Sequence, residues 1–281
     1  NLFMVIGAIT LLSCEKEVQL DVNQTEEKLV IESIVTDSML SHPVILRRSN
    51  DLYQEGDFSG VENAEVRIVE TSPEGTESTI LYHHNSERKG YYLPENPFAG
   101  KLGYEYHLQI NWEGEYYEAK EILLPVTAID SLVTEPVDED FEPSDALIDS
   151  LGTATGPYYW VKFYAYEPPE RVDFYNWKFY RNGVFKNDEG RWVYYASDEI
   201  VQENIDGIYV PGTYTSGDTV RVEMYSLSRI GFLYYFDLET VINSDGGMFS
   251  PPPANPRTNV GNGALGFFQV SSIEIKELII N

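Results

Sequence analysis

Basic residues are scarce in this chain, 19 Lys and Arg against 46 Asp and Glu in 281 residues, for a formal net charge of −27. A field of that sign repels phosphate backbones and anionic head groups, which excludes nucleic acid as a partner. Cysteine is nearly missing as well: Cys14 stands alone, so no intramolecular disulfide forms and the fold must rest on packing, which a chain of this length can supply. The only histidines are His42, His83, His84 and His107. His83 and His84 are adjacent and on a strand would face opposite sides, and no other pair has ligand spacing, so no metal site is expected and all four are read as surface residues. Apolar runs are short. The longest, residues 2–12, falls well below the roughly 20 residues of a stable membrane-spanning helix.

What the chain does have is aromatic area, with 21 Tyr, 13 Phe and 4 Trp, enough to build a core despite the acidity. The short apolar run ends in Leu11-Leu12-Ser13-Cys14, which matches a lipobox: a small residue before a cysteine that is diacylated and becomes the mature N-terminus. Residues 1–13 are therefore expected to be a lipoprotein signal peptide. Glu15-Lys16-Glu17 occupies the place of a short acidic export signal to the outer face of the outer membrane, and residues 14–27 read as an acidic tether.

From residue 28 the apolar positions recur at every second residue, as in Leu29, Ile31 and Val35, or Tyr104, Tyr106, Leu108, Ile110 and Trp112. That period is the strand period. Glu113-Gly114 closes a hairpin onto residues 116–124. The reading is a mainly β chain: an immunoglobulin-like antiparallel β-sandwich over 28–126, then a second antiparallel β domain over 127–281. In the second domain strands are expected over 158–166, 172–181 and 219–225, with a hairpin turn at Asn182-Gly183. Leu227, Ile230, Leu233, Tyr234, Leu238 and Val241 fall at helical spacing, which predicts one helix over about 227–243. A Pro/Gly-rich loop, 251–266, and one final strand over 267–280 complete the chain. The loop is expected to cap the open end of the second domain.

Motifs with catalytic overtones fail on context. Gly261-Asn262-Gly263-Ala264-Leu265-Gly266 satisfies the dinucleotide pattern, but it follows a proline-rich loop and precedes a β-like segment, where a strand and a helix are required. Its glycines are read as turn residues, and no cofactor is expected. The acidic stretch carrying Asp138-Glu139-Asp140, Glu142, Asp145 and Asp149 lacks the glycine and terminal glutamate of a calcium loop and reads as solvated chain. In Tyr158-Tyr159-Trp160-Val161-Lys162-Phe163-Tyr164 both strand faces are apolar; one must be core, and the other, with Trp160 and Tyr164, either packs under a neighbour or forms a platform for a partner or a sugar ring. The loop residues Phe249, Pro252 and Pro253 form a second candidate contact surface.

Taken together, the lipobox at Cys14, Leu29-Val30-Ile31-Glu32, Leu124-Pro125 with Ile129-Asp130-Ser131-Leu132, and the block from Pro251-Pro252-Pro253-Ala254-Asn255-Pro256 to Asn259-Val260-Gly261-Asn262-Gly263-Ala264-Leu265-Gly266-Phe267-Phe268 resemble the Bacteroidota lipoproteins of domain-of-unknown-function family 4249. The resemblance implies a non-enzymatic surface lipoprotein, anchored in the outer membrane through lipid on Cys14, that serves a TonB-dependent transporter in nutrient uptake. The family brings no catalytic residues to carry over. A free-standing lipoprotein that binds glycan on its aromatic platform is the alternative, and a hydrolase built on paired carboxylates of the second domain is a third.

Overall fold

In the computed structural model of the chain the described residues are 27–49, 59–137, 157–166, 168, 170–187, 193–198, 204–244 and 254–281. The signal peptide, Cys14, the acidic export signal, the acidic stretch from 138, and Phe249, Pro252 and Pro253 lie outside them. The strands in chain order are β1 (Leu29–Thr36), β2 (Val44–Arg48), β3 (Glu65–Thr71), β4 (Glu77–His84), β5 (Tyr91–Pro94), β6 (Glu105–Trp112), β7 (Glu115–Ile122) and β8 (Ile129–Pro136). They continue with β9 (Tyr159–Tyr166), β10 (Phe174–Arg181), β11 (Val184–Phe185), β12 (Tyr194–Ser197), β13 (Asn204–Tyr209), β14 (Thr219–Leu227), β15 (Leu265–Ser271) and β16 (Ile273–Ile279). One helix, α1 (Arg229–Ile242), lies between β14 and β15. The chain is mainly β and largely antiparallel, as its alternation requires.

The N-terminal unit is an eight-stranded sheet ordered β15-β1-β2-β5-β4-β3-β6-β7. Alternation decides its inner face: Leu29, Ile31 and Val35 of β1 are buried while Glu32 is exposed, and Tyr106, Leu108 and Ile110 of β6 are buried. The β6–β7 turn has both Glu113 and Gly114 at positive φ, 51° and 86°, the paired left-handed conformation that follows the twist of a hairpin. The two edges of the sheet then meet. Ala119 of β7 bridges Val260, Leu124 bridges Ser271, and the Gly261 N–H donates to the Glu118 carbonyl at 2.9 Å. The expected sandwich is thus one sheet wrapped almost into a barrel around Ile31, Leu46, Ile68, Leu108 and Phe268.

Two expectations about the C-terminus are corrected. The single strand expected over 267–280 is two strands: β15 pairs with β1 in parallel, whereas β16 pairs with β14 in the second unit. The chain changes sheets at Ser271 and Ser272, both buried, where Ser271 Oγ donates to the Ser226 carbonyl and the Ser272 N–H to Ser226 Oγ. Two small hydroxyl residues let strands approach there and satisfy the backbone groups the switch leaves open. The loop before β15 also packs elsewhere than expected. Its described part closes the N-terminal barrel, through Val260, Gly261 and Asn259, and does not cap the second domain.

The second unit joins the sheet β11-β10-β14-β16, with β12 on β10, to the three-stranded sheet β13-β9-β8; β16 runs beside β8. Val161, Phe163, Tyr175, Trp177, Phe179, Val222 and Met224 fill the space between them. Asn182 and Gly183 take φ of 49° and 77°, the hairpin geometry their sequence requires. The helix begins two residues later than its apolar spacing implies, because Leu227 is the buried last residue of β14. Ser228 is its N-cap and accepts from the Gly231 N–H at 3.1 Å. α1 then straddles both units. Phe232 packs between Phe174 and Tyr195, while Tyr234 stacks on Phe267 of β15 with ring centroids 4.8 Å apart.

Candidate interaction surface

Strand β9 decides which aromatic face is core. Val161, Phe163 and Ala165 are buried in the second unit, so Trp160, Lys162, Tyr164 and Tyr166 point the other way. The register places Glu135 opposite Trp160, Val133 opposite Lys162 on one side and Tyr209 on the other, and Asp206 opposite Tyr164. Directly opposed residues of antiparallel strands share a face. The outer face of the three-stranded sheet therefore collects Trp160, Tyr164, Tyr166, Tyr209 and Val133 around one lysine. Tyr166 is 59 % and Tyr209 53 % exposed, whereas Trp160 and Tyr164 are half-buried.

The groups on this face hold one another. Lys162 Nζ lies 2.7 Å from Glu135 Oε2 and 4.6 Å from the centre of the Tyr209 ring. The Glu135 carboxylate, and after it Tyr209, hold the ammonium above the ordinary lysine range. Trp160 meets Tyr209 edge-on, at 6.0 Å and 77°. On β13 the ladder bulges at Gly207, whose φ is +73° and whose missing Cβ would stand 3.1 Å from the Tyr164 hydroxyl. Glycine there lets the Tyr164 ring lie across the bulge. The Tyr209 ring presents no free plane, because Lys162 sits over it and Trp160 abuts it. The face offers ring edges and aliphatic area, in which protein contacts are rich, around one ion pair. Trp160 and Tyr164 were readable in the sequence. Tyr209 was not, since it stands on a strand whose alternation is broken by the bulge.

A second constellation lies where the units join. Glu121 of β7 is 7 % exposed and accepts from Ser228 Oγ and from Asn259 Nδ2, both at 3.0 Å. Burial dominates those two hydrogen bonds and pushes its carboxyl up to about 7. Asn259 also gives Nδ2–H to the Phe268 carbonyl at 2.7 Å and takes the Phe268 N–H at 3.0 Å, so its amide replaces a neighbouring strand. Around it Tyr235 donates to Gln269, Gln269 to Ser271, and Ser226 Oγ to the Leu124 carbonyl. This network couples barrel, helix and second sheet.

The glycine motif of 261–266 forms a turn, with Asn262 and Gly263 at φ of 57° and 70°, and runs straight into β15. The helix N-terminus that a pyrophosphate needs is replaced by a strand. Gly266 is required by a close approach: a Cβ there would stand 2.0 Å from the Ile31 carbonyl oxygen. No group of three metal-ligating side chains occurs among the described residues. The histidine expectation needs one correction. His42 is 3 % exposed, and its Nε2–H is shared between the carbonyls of Phe98 at 3.0 Å and Ser38 at 3.2 Å; burial lowers its pKa. It lies in a loop, where no alternation exists to reveal burial. His107 is paired with Glu118 at 2.8 Å on the outer face of the barrel.

The model of the family described as Domain of unknown function (DUF4249) matches residues 15–277. The chain belongs to DUF4249. The match takes in the barrel, the helix and both sheets of the second unit, with β16 as far as residue 277. No curated protein matches this DUF4249 chain. Among solved structures it is similar to the crystal structure of a DUF4785 family protein from Legionella pneumophila, at 9 % identity and a TM-score of 0.23 over 73 % of this chain and 54 % of that one. The chain spans about half the length of that protein.

Proposed function

We propose that this DUF4249 protein is a non-enzymatic lipoprotein of the outer membrane, held by lipid on Cys14 with its folded part toward the cell exterior, and that it is an accessory subunit of a TonB-dependent nutrient transporter. The observation that carries the docking role is the outer face of the three-stranded sheet, where Trp160, Tyr164, Tyr166 and Tyr209 gather around the Lys162–Glu135 pair. Leu11-Leu12-Ser13-Cys14 and Glu15-Lys16-Glu17 support the address. Two acyl chains on Cys14 give durable anchoring without a spanning helix.

The topology supports the orientation. β1 leaves the tether at Leu29 and runs to Thr36, and β15, parallel to it, ends at Ser271 beside Leu124, from which the chain passes into β8. The second unit thus sits at the end of the barrel away from the tether, about 26 Å along an eight-residue strand.

Affinity capture from detergent-solubilised membranes tests this reading. The native protein is expected to bring down a TonB-dependent transporter in stoichiometric amount, and Trp160→Ser with Tyr209→Ser to lose it by tenfold or more while melting within a few degrees of native. A native protein recovered alone and retained on glycan resins contradicts the accessory role and supports the free-standing glycan binder.

A further inference from the structure

The cleft between the helix and the outer face of the barrel has the composition of a small-molecule site. Its volume is about 390 Å³, within the range of ligand pockets. Val30 of β1, Leu265 of β15, Leu238 of α1 and Pro256 make its apolar walls. The Pro256 wall is fixed in place: next to it, the Arg257 N–H donates to Asp237 Oδ2 of the helix at 3.0 Å, and the guanidinium pairs with the same carboxylate at 2.9 Å. Tyr234 lines the cleft with its ring stacked on Phe267. Its hydroxyl has no hydrogen-bond partner among the described residues. At the mouth Arg47 gives one N–H to Glu32 at 2.9 Å, and the rest of its donor fork meets no acceptor among the described residues.

We propose that this cleft binds a short zwitterionic peptide of apolar residues, with its carboxylate on Arg47 and the Tyr234 hydroxyl and its ammonium on Glu32. Charge selects this class. The chain carries −27, which opposes an anionic amphiphile, while the mouth holds one cation and one anion and so matches a ligand of zero net charge with both signs at its ends. Beyond those groups the lining adds only the Ser49 hydroxyl and the Asn255 amide, few partners for a sugar's many hydroxyls, and the apolar walls suit two aliphatic side chains. Arg47 gains a bidentate carboxylate in exchange for its single bond to Glu32.

The proposal deepens the nutrient-capture reading by naming a ligand, and the two fail separately, because cleft binding is measured on the purified protein and transporter docking is read on a different face. Calorimetric titration of the full chain with leucyl-leucine is paired with titration by N-acetyl-leucyl-leucinamide, which lacks both charges, and with methyl NMR of Val30, Leu238 and Leu265. Leucyl-leucine is expected to bind and to shift those three methyl sets, with the capped analogue at least tenfold weaker. Arg47→Gln, on an exposed strand face, should weaken leucyl-leucine tenfold and leave the capped analogue unchanged. Leu238→Trp should fill the cleft and abolish both. Absence of leucyl-leucine binding, equal affinity for the capped analogue, or shifts confined to other methyls would overturn it.

Discussion

Gly266→Ala should destabilise the protein by at least about 3 kcal/mol, enough to leave much of it unfolded if its stability is ordinary for a domain. The residue sits at φ +89°, and a Cβ there would stand 2.0 Å from the oxygen and 2.9 Å from the carbon of the Ile31 carbonyl. Those are backbone atoms of the neighbouring strand and cannot swing aside, so relief requires β1 and β15 to part. Gly263 is the control. It has φ +70°, and a Cβ added there would meet nothing within 4 Å, so Gly263→Ala meets only the intrinsic cost of a left-handed alanine, about 1–2 kcal/mol. Urea denaturation of the two variants beside the native chain reads the difference. Equal losses would mean that the parallel β1–β15 approach does not constrain this position.

Glu121→Gln should stabilise the protein above neutrality, against the usual effect of removing a buried charge. The unfolded carboxyl ionises near 4.5, whereas in the folded protein burial holds the proton until about 7. Between those values the folded state binds more protons, so the site's contribution to stability is complete below 4.5 and falls as pH rises through that window. A displacement of that size corresponds to about 3 kcal/mol at 1.36 kcal/mol per unit. Glutamine keeps an oxygen to accept from Ser228 and Asn259 and never ionises. The variant is expected to exceed the native stability by about 2–3 kcal/mol at pH 8 and to match it at pH 4. His42 works in the opposite sense: its pKa is lowered from 6.5 by burial, so its contribution is full above 6.5 and is lost as pH falls below it. Comparing native and variant at each pH cancels the His42 part. A variant that is less stable at pH 8 would show the carboxylate to be an anchor of the junction.

Alternation made the barrel strands legible, because a sheet with one solvated face writes its period into the residues, as in Tyr106, Leu108 and Ile110 of β6. The hairpins were equally open, since Asn182-Gly183 and Glu113-Gly114 carry the positive φ that their turns need. Partner choice was not legible. Phe267 to Ser271 is buried at every position and Ile273 to Ile279 alternates with an exposed face, but neither pattern names a neighbour: one lies against β1 and the other against β14, and the pairing is settled by Asn259, Gly266 and the two serines, through contacts with residues far away in the chain. The same limit applied to the surface. Trp160 and Tyr164 could be placed on one side of a strand, but Tyr209 reached them only through the register of β13, whose bulge erases the period a reader would follow.

Site-specific photocrosslinking in intact cells tests the docking claim most directly. With p-benzoylphenylalanine in place of Tyr209, on the aromatic face, illumination should yield one high-mass adduct containing a TonB-dependent transporter, and external protease should digest the lipoprotein without lysis. The same crosslinker at Tyr116, exposed on the barrel wall, should give none. Adducts that form equally from Tyr116, or a Tyr209 position that crosslinks to nothing in cells where the transporter is present, would contradict the account.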